Sequence, residues 1–174
     1  FLQREKNQLM RIFLIGFMGC GKSTIGKKLA KTLSCKFIDL DKYIERKTGE
    51  SIQQIFKEKG EKYFRVLETE SLMEICKSDN LVIATGGGTP CFFDNMQRIL
   101  DKGICIYLKM EANNLAKRLS KEKSKRPLIE NLTEKYLVNF IRKKLVEREV
   151  FYNKANHIIQ AKNISEKDII KLIS

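Results

Sequence analysis

Short apolar runs alternate with longer amphipathic stretches along this chain. The runs RIFLI (11–15), KFID (36–39), LVIAT (81–85), ICIYLKM (104–110) and HIIQA (157–161) are too short for helices and rich in Ile, Val, Phe or Tyr, which predicts five strands. Helical patterns lie between them. The first leaves a glycine-rich loop and runs through STIGKKLAKTL, with Ile25, Leu29 and Leu33 four apart on one face. Residues 41–78 predict two or three helices punctuated by Gly49 and Gly60, with Ser51 as an N-cap, and further helices are expected at 92–101, 111–120, 133–151 and 165–173. Strands separated by helices in this order imply right-handed crossovers. The expected fold is therefore α/β, a three-layer α/β/α arrangement around a five-stranded parallel sheet.

Composition narrows the classes. With 174 residues, 43% hydrophobic and 32% charged, residues 1–174 are read as a single domain with a real core. Met10 stands directly before the first strand, so residues 1–9 are read as an extension outside the fold. No apolar stretch approaches the ~20 residues of a spanning helix, and FLQREKNQLM lacks the basic-then-apolar order of a secretory signal. A cytoplasmic location with no membrane partner is expected. The five cysteines, Cys20, Cys35, Cys76, Cys91 and Cys105, are odd in number and hold no CxxC pair, which argues against a disulfide framework or a zinc knuckle. The single histidine, His157, rules out a multi-histidine metal site and is assigned a structural place at a strand end.

The formal net charge of +13 raises the question of a nucleic-acid partner. Most of the basic residues are lysines interleaved with acids, as in KYIERKTGE and KKLVERE, which is the look of solvated helix faces. No aromatic-studded basic stripe accompanies them, so no nucleic-acid partner is expected. A positive field still draws small anions toward a cleft.

The chemistry begins after the first strand. GFMGCGKST matches GxxxxGK[ST], with Gly16, Gly21, Lys22 and Ser23 at the defining positions and a strand before and a helix after. Glycines let the backbone turn its N–H groups inward, forming an anion-sized nest at the N-terminus of the next helix. Lys22 reaches terminal phosphates as a point charge, and the Ser23 hydroxyl can ligate Mg2+. The second strand ends in FIDLD, which delivers Asp39 and Asp41 to the carboxyl edge of the sheet, where open α/β folds place ligands. One can assist Mg2+ and the other can orient or deprotonate an acceptor hydroxyl, although both also suit a helix N-terminus. The third strand lacks a terminal Asp and runs into Gly86-Gly87-Gly88, a second glycine loop at the same edge. Arginine is scarce. Arg65, Arg126 and Arg148 fall in separate segments able to converge over a cleft and hold a carboxylate or neutralise a transferring phosphoryl group. Taken singly, Arg65 with Glu68 and Arg148 with Glu147 or Glu149 also read as surface salt bridges.

The ordered motifs GFMGCGKST, DLD, FRVLE, GGG, RPL and REVFY resemble those of shikimate kinase, and the resemblance covers the chain from residue 10 onward. It implies a P-loop kinase of the nucleoside-monophosphate-kinase-like type that moves the γ-phosphoryl group of ATP to the 3-hydroxyl of shikimate, in aromatic amino-acid biosynthesis. By the same resemblance, Gly19, Cys20, Gly21, Lys22, Ser23 and Thr24 form the nucleotide loop, with Arg118 on the adenine side. Ser23 and Asp39 serve Mg2+. Asp41 engages the acceptor hydroxyl, and Arg65, Arg148, Gly87 and Gly88 bind shikimate, the arginines at its carboxylate. Residues 39–70 become the acceptor-binding helices, 120–132 a mobile lid, and Arg126 the lid arginine that joins Lys22 and Asp41 in catalysis. A monomer is expected. Cys20 replaces the small residue often found at its position. Lying near loop amides and Lys22, it reads either as the most readily alkylated thiol, shielded by nucleotide, or as a merely tolerated small side chain. Two other readings stay open: a kinase for another acceptor such as gluconate or a nucleotide, and a nucleic-acid-dependent ATPase.

Overall fold

A computed structural model describes residues 10–121 and 133–174. The strands are β1 (Arg11–Ile15), β2 (Lys36–Asp39), β3 (Leu81–Ala84), β4 (Ile104–Lys109) and β5 (His157–Gln160). The helices are α1 (Lys22–Thr32), α2 (Leu40–Thr48), α3 (Ile52–Ile75), α4 (Asn95–Lys102), α5 (Ala112–Leu119), α6 (Glu134–Tyr152) and α7 (Glu166–Ile173). The five strands form one parallel sheet in the order β2-β3-β1-β4-β5.

Central β1 explains the apolar run that announced it. Ile12 and Leu14 enter the core on one face of the sheet with α1, α5, α6 and α7, while Phe13 and Ile15 enter the core on the other face with α2, α3 and α4. Both faces are covered, so no polar alternation survives in that strand. At the edge, β5 alternates half-buried and exposed residues, and His157 begins it in register with Ile106 of β4. Its structural place is as expected.

Element ends follow local chemistry. Gly49 closes α2 in the left-handed region, and Ser51 opens α3 with a full capping box to Gln54. Gly60, at φ 83 and ψ 167, breaks α3 into two helical halves, so the expected punctuation is present. The helix expected from residue 92 starts at Asn95 instead. Pro90 sits in a 3-10 turn at Thr89–Cys91, and Phe93 adopts φ 51, which no continuous helix accommodates. Among the described residues no helix is long and apolar enough to cross a membrane. The loops after β1 and β3 and the end of β2 meet at the carboxyl edge of the sheet, which fixes where a site can form.

Candidate active site

The nucleotide loop is shaped by close contacts as well as by left-handed backbone. Gly21 is the N-cap of α1 at φ 99, and a Cβ on Gly16 would stand 2.7 Å from the Leu108 carbonyl oxygen. Lys22 is nearly buried and lies back along the loop, its Nζ donating to the carbonyls of Gly16 at 2.8 Å and Phe17 at 3.0 Å. Thr24 is exposed at the rim. Arg118, at the end of α5, donates from Nη1 to the Gly19 carbonyl at 3.3 Å and so covers the outer side of the loop.

Burial separates the two readings of Cys20. The residue is 2% exposed and packs within the core cluster beside Phe17 and Leu108, so burial favours the tolerated small side chain over a readily alkylated thiol, while its backbone stays in the loop. The half-buried thiols are Cys35 and Cys91, and burial pushes Cys91 up to about 11. Arg126 and the expected lid at 120–132 lie outside the described residues, apart from Ser120 and Lys121, and so does the expected extension at 1–9.

Asp39 answers to both of its readings. Its Oδ1 accepts from the Lys42 backbone N–H at 3.2 Å as the N-cap of α2, and its Oδ2 accepts from Ser23 Oγ at 2.5 Å. The pair presents two adjacent hard oxygens beside the loop. Among the described residues no cluster of three or more His, Cys, Asp or Glu side chains can hold a metal alone. The Ser23–Asp39 oxygen pair suits Mg2+, which takes one or two protein oxygens and completes its shell with phosphates and water.

Asp41 stands in the first turn of α2, half-buried. Burial, followed by the charges of Glu68 and Asp39, pushes its carboxyl up to about 6 against the pull of Lys22. A Cβ on Gly86 would lie 3.0 Å from Asp41 Oδ1 and 2.7 Å from Glu68 Oε1. Close approach to carboxylates is thus what excludes a side chain there.

The two expected acceptor arginines differ. Arg65 is 6% exposed and is bonded by Glu61 and Glu68, with Phe92 stacked 4.1 Å from its guanidinium carbon. The ion pair with Glu68 exists, but it is buried rather than superficial. Arg148 lies 5.1 Å from the Phe17 ring, and its Nη1 is buried with no hydrogen-bond partner among the described residues. Its expected salt-bridge partners are engaged elsewhere, Glu147 with Lys144 and Glu149 with Lys109. A buried guanidinium N–H without a partner is costly unless something anionic visits it. Gly87 and Gly88 make room for both cations: added Cβ atoms would stand 3.2 Å from Arg148 Nη1 and 2.7 Å from Arg65 Nη2.

One open cleft of about 1400 Å³ joins these groups. Gly19, Lys22, Asp41, Arg65, Arg118 and Arg148 all line it. Sequence reasoning assigned no site role to Glu61, Phe92, Thr89 or Tyr152. Glu61 and Glu68 lie four before and three after Arg65 on one helix face, a spacing that signals the pair but not its burial. Tyr152, four residues after Arg148, donates its hydroxyl to the Gly87 carbonyl and ties α6 to the glycine triplet.

A family model described as shikimate kinase matches residues 18–174. The chain belongs to the shikimate kinase family. A shikimate kinase of Phocaeicola vulgatus is 45% identical over 159 residues, covering 91% of each chain. That of Azobacteroides pseudotrichonymphae is 44% identical over 164 residues, 94% of this chain and 96% of the relative. The crystal structure of shikimate kinase from Bacteroides thetaiotaomicron superposes with TM-score 0.91 at 38% identity, over 94% of this chain and 98% of that one. Shikimate kinase from Acinetobacter baumannii, solved in complex with shikimate, gives TM-score 0.86 at 35% identity over 95% and 91%. Shikimate kinase membership makes this chain an ATP-dependent phosphotransferase on the P-loop kinase fold.

Proposed function

We propose that the cleft transfers the γ-phosphoryl group of ATP to the 3-hydroxyl of shikimate, giving shikimate 3-phosphate and ADP. The observation that carries this reading is the convergence of charge in one cleft, which Lys22, the nucleotide loop, Asp41 and the guanidinium groups of Arg65 and Arg148 line together. The triphosphate lies along the loop from Gly19 to Thr24, with Lys22 turning from the carbonyls of Gly16 and Phe17 to the phosphates. Arg118 flanks the base. Shikimate lies over Gly87 and Gly88 with its carboxylate toward Arg65 and Arg148.

Asp41, held near 6, is largely ionised at neutral pH yet basic enough to take a hydroxyl proton. The acceptor oxygen forms its bond to the γ-phosphorus as the bond to the β-γ bridging oxygen breaks; the electron pair leaves on ADP, and the proton passes through Asp41 to solvent. A loose transition state asks for positioning and charge neutralisation rather than covalent chemistry from the protein. Mg2+, when bound, would neutralise phosphate charge, and Ser23 and Asp39 would hold it. Arg126 would add a second cation from the lid segment.

An ADP-release assay with Mg-ATP against shikimate, gluconate, nucleoside monophosphates and nucleic acid tests the assignment. Release is expected with shikimate alone, at a rate far above the acceptor-free background. Release that depends on another acceptor, or on DNA or RNA, contradicts it.

A further inference from the structure

Arg65 is the acceptor-side cation in this reading, yet its guanidinium is already engaged. Glu61 Oε1 accepts from both Nε at 3.2 Å and Nη2 at 2.9 Å, and Glu68 Oε2 accepts from Nη1 at 2.9 Å. Phe92 covers one face, and Gly88 crowds the tip, where an added Cβ would stand 2.8 Å from Nη1 and 2.7 Å from Nη2. The edge formed by Nε and Nη2 is thus the natural place for a carboxylate to meet parallel N–H groups. Glu61 holds it.

The two acids are unequal. Glu68 is fully buried and accepts a second bond from Thr89 Oγ1 at 2.5 Å, so it is fixed. The Glu61 side chain is 52% exposed, and among the described residues it bonds Arg65 alone. It directly follows the Gly60 break, and so stands in the opening turn of the second half of α3, where the helix dipole favours an acid whether or not it touches Arg65. Two carboxylates on one guanidinium leave the group net negative, so an incoming anion gains little until one departs. Exposure makes Glu61 the one that leaves at small cost.

We propose that Glu61 is a stand-in carboxylate: it occupies the Nε–Nη2 edge of Arg65 until the acceptor's carboxylate replaces it. Glu61 thereby sets acceptor affinity and keeps inorganic phosphate and nucleotide phosphates off Arg65. This rests on the reading that shikimate is the acceptor and that Arg65 grips its carboxylate.

Glu61→Gln removes the charge and keeps the shape, and Glu61→Ala removes both. In each variant the KM for shikimate is expected to fall about three- to tenfold. Inorganic phosphate is expected to compete with shikimate at several-fold lower concentration than in the unsubstituted enzyme. Cooperative thermal unfolding by circular dichroism establishes that each variant is folded. A raised or unchanged shikimate KM in the folded variants overturns the proposal and makes Glu61 a clamp or a bystander. Failure of the unsubstituted enzyme to turn over shikimate is a different result, visible before any variant is compared, and removes the reading beneath.

Discussion

Asp41 concentrates the electrostatic conflict of the cleft, because burial and the charges of Glu68 and Asp39 all oppose its ionisation. Its carboxyl is raised from 3.8 to about 6, so the folded state binds that proton more tightly than the unfolded chain does. Stability from this group therefore falls as pH rises from about 4 to about 6, and levels off above. Asp41→Asn is expected to raise stability at pH 7 by about 1–2 kcal/mol, read from urea unfolding, while lowering kcat by at least about a hundredfold. The unsubstituted enzyme should lose kcat/KM as pH falls through about 6. Lys22→Ala should cut kcat at least about a thousandfold with the fold intact, checked by the same turnover assay. Single residues of this kind were legible because their chemistry is local: a lysine after a glycine loop and a carboxylate at a strand end. Burial was not. Cys20 reads as a loop thiol and packs as core, and Glu68 reads as a surface partner and is wholly enclosed.

At the scale of elements, the glycine triplet and α6 act together. Neither Gly86, Gly87 nor Gly88 has positive φ; what bars a side chain is the crowd of Glu68, Asp41, Arg148 and Arg65 around them. Gly88→Ala should push the Arg65 guanidinium aside and raise the shikimate KM about tenfold or more, with a much smaller change in the KM for ATP. Tyr152→Phe leaves the Gly87 carbonyl without its donor. It should cost about 1–2 kcal/mol in thermal or urea unfolding and raise the shikimate KM, because Arg148 lies one turn earlier on the same helix. The strands were readable to within a residue, since short runs of Ile, Val and Phe between helical patterns leave one assignment. The late start of α4 was not readable: Pro90 sits in a 3-10 turn and Phe93 takes a left-handed conformation, neither of which the apolar pattern registers.

For the whole molecule, two apolar cores on opposite faces of one parallel sheet hold two loops and a strand end at a common edge. Topology brings together residues as distant in sequence as Lys22 and Arg148, a convergence that ordered motifs imply but no single segment contains. The net charge of +13 belongs to this scale as well. Both proposed substrates are anions, so kcat/KM should fall several-fold as ionic strength rises from about 0.05 to about 0.5 M, in a steady-state salt series. Phosphorus NMR of a reaction containing Mg-ATP and shikimate tests the central claim most directly. The expected spectrum shows ADP growing in step with one phosphomonoester, its phosphorus coupled to the ring proton at carbon 3 of shikimate. ADP growing in step with inorganic phosphate, and no coupled phosphomonoester, would contradict it.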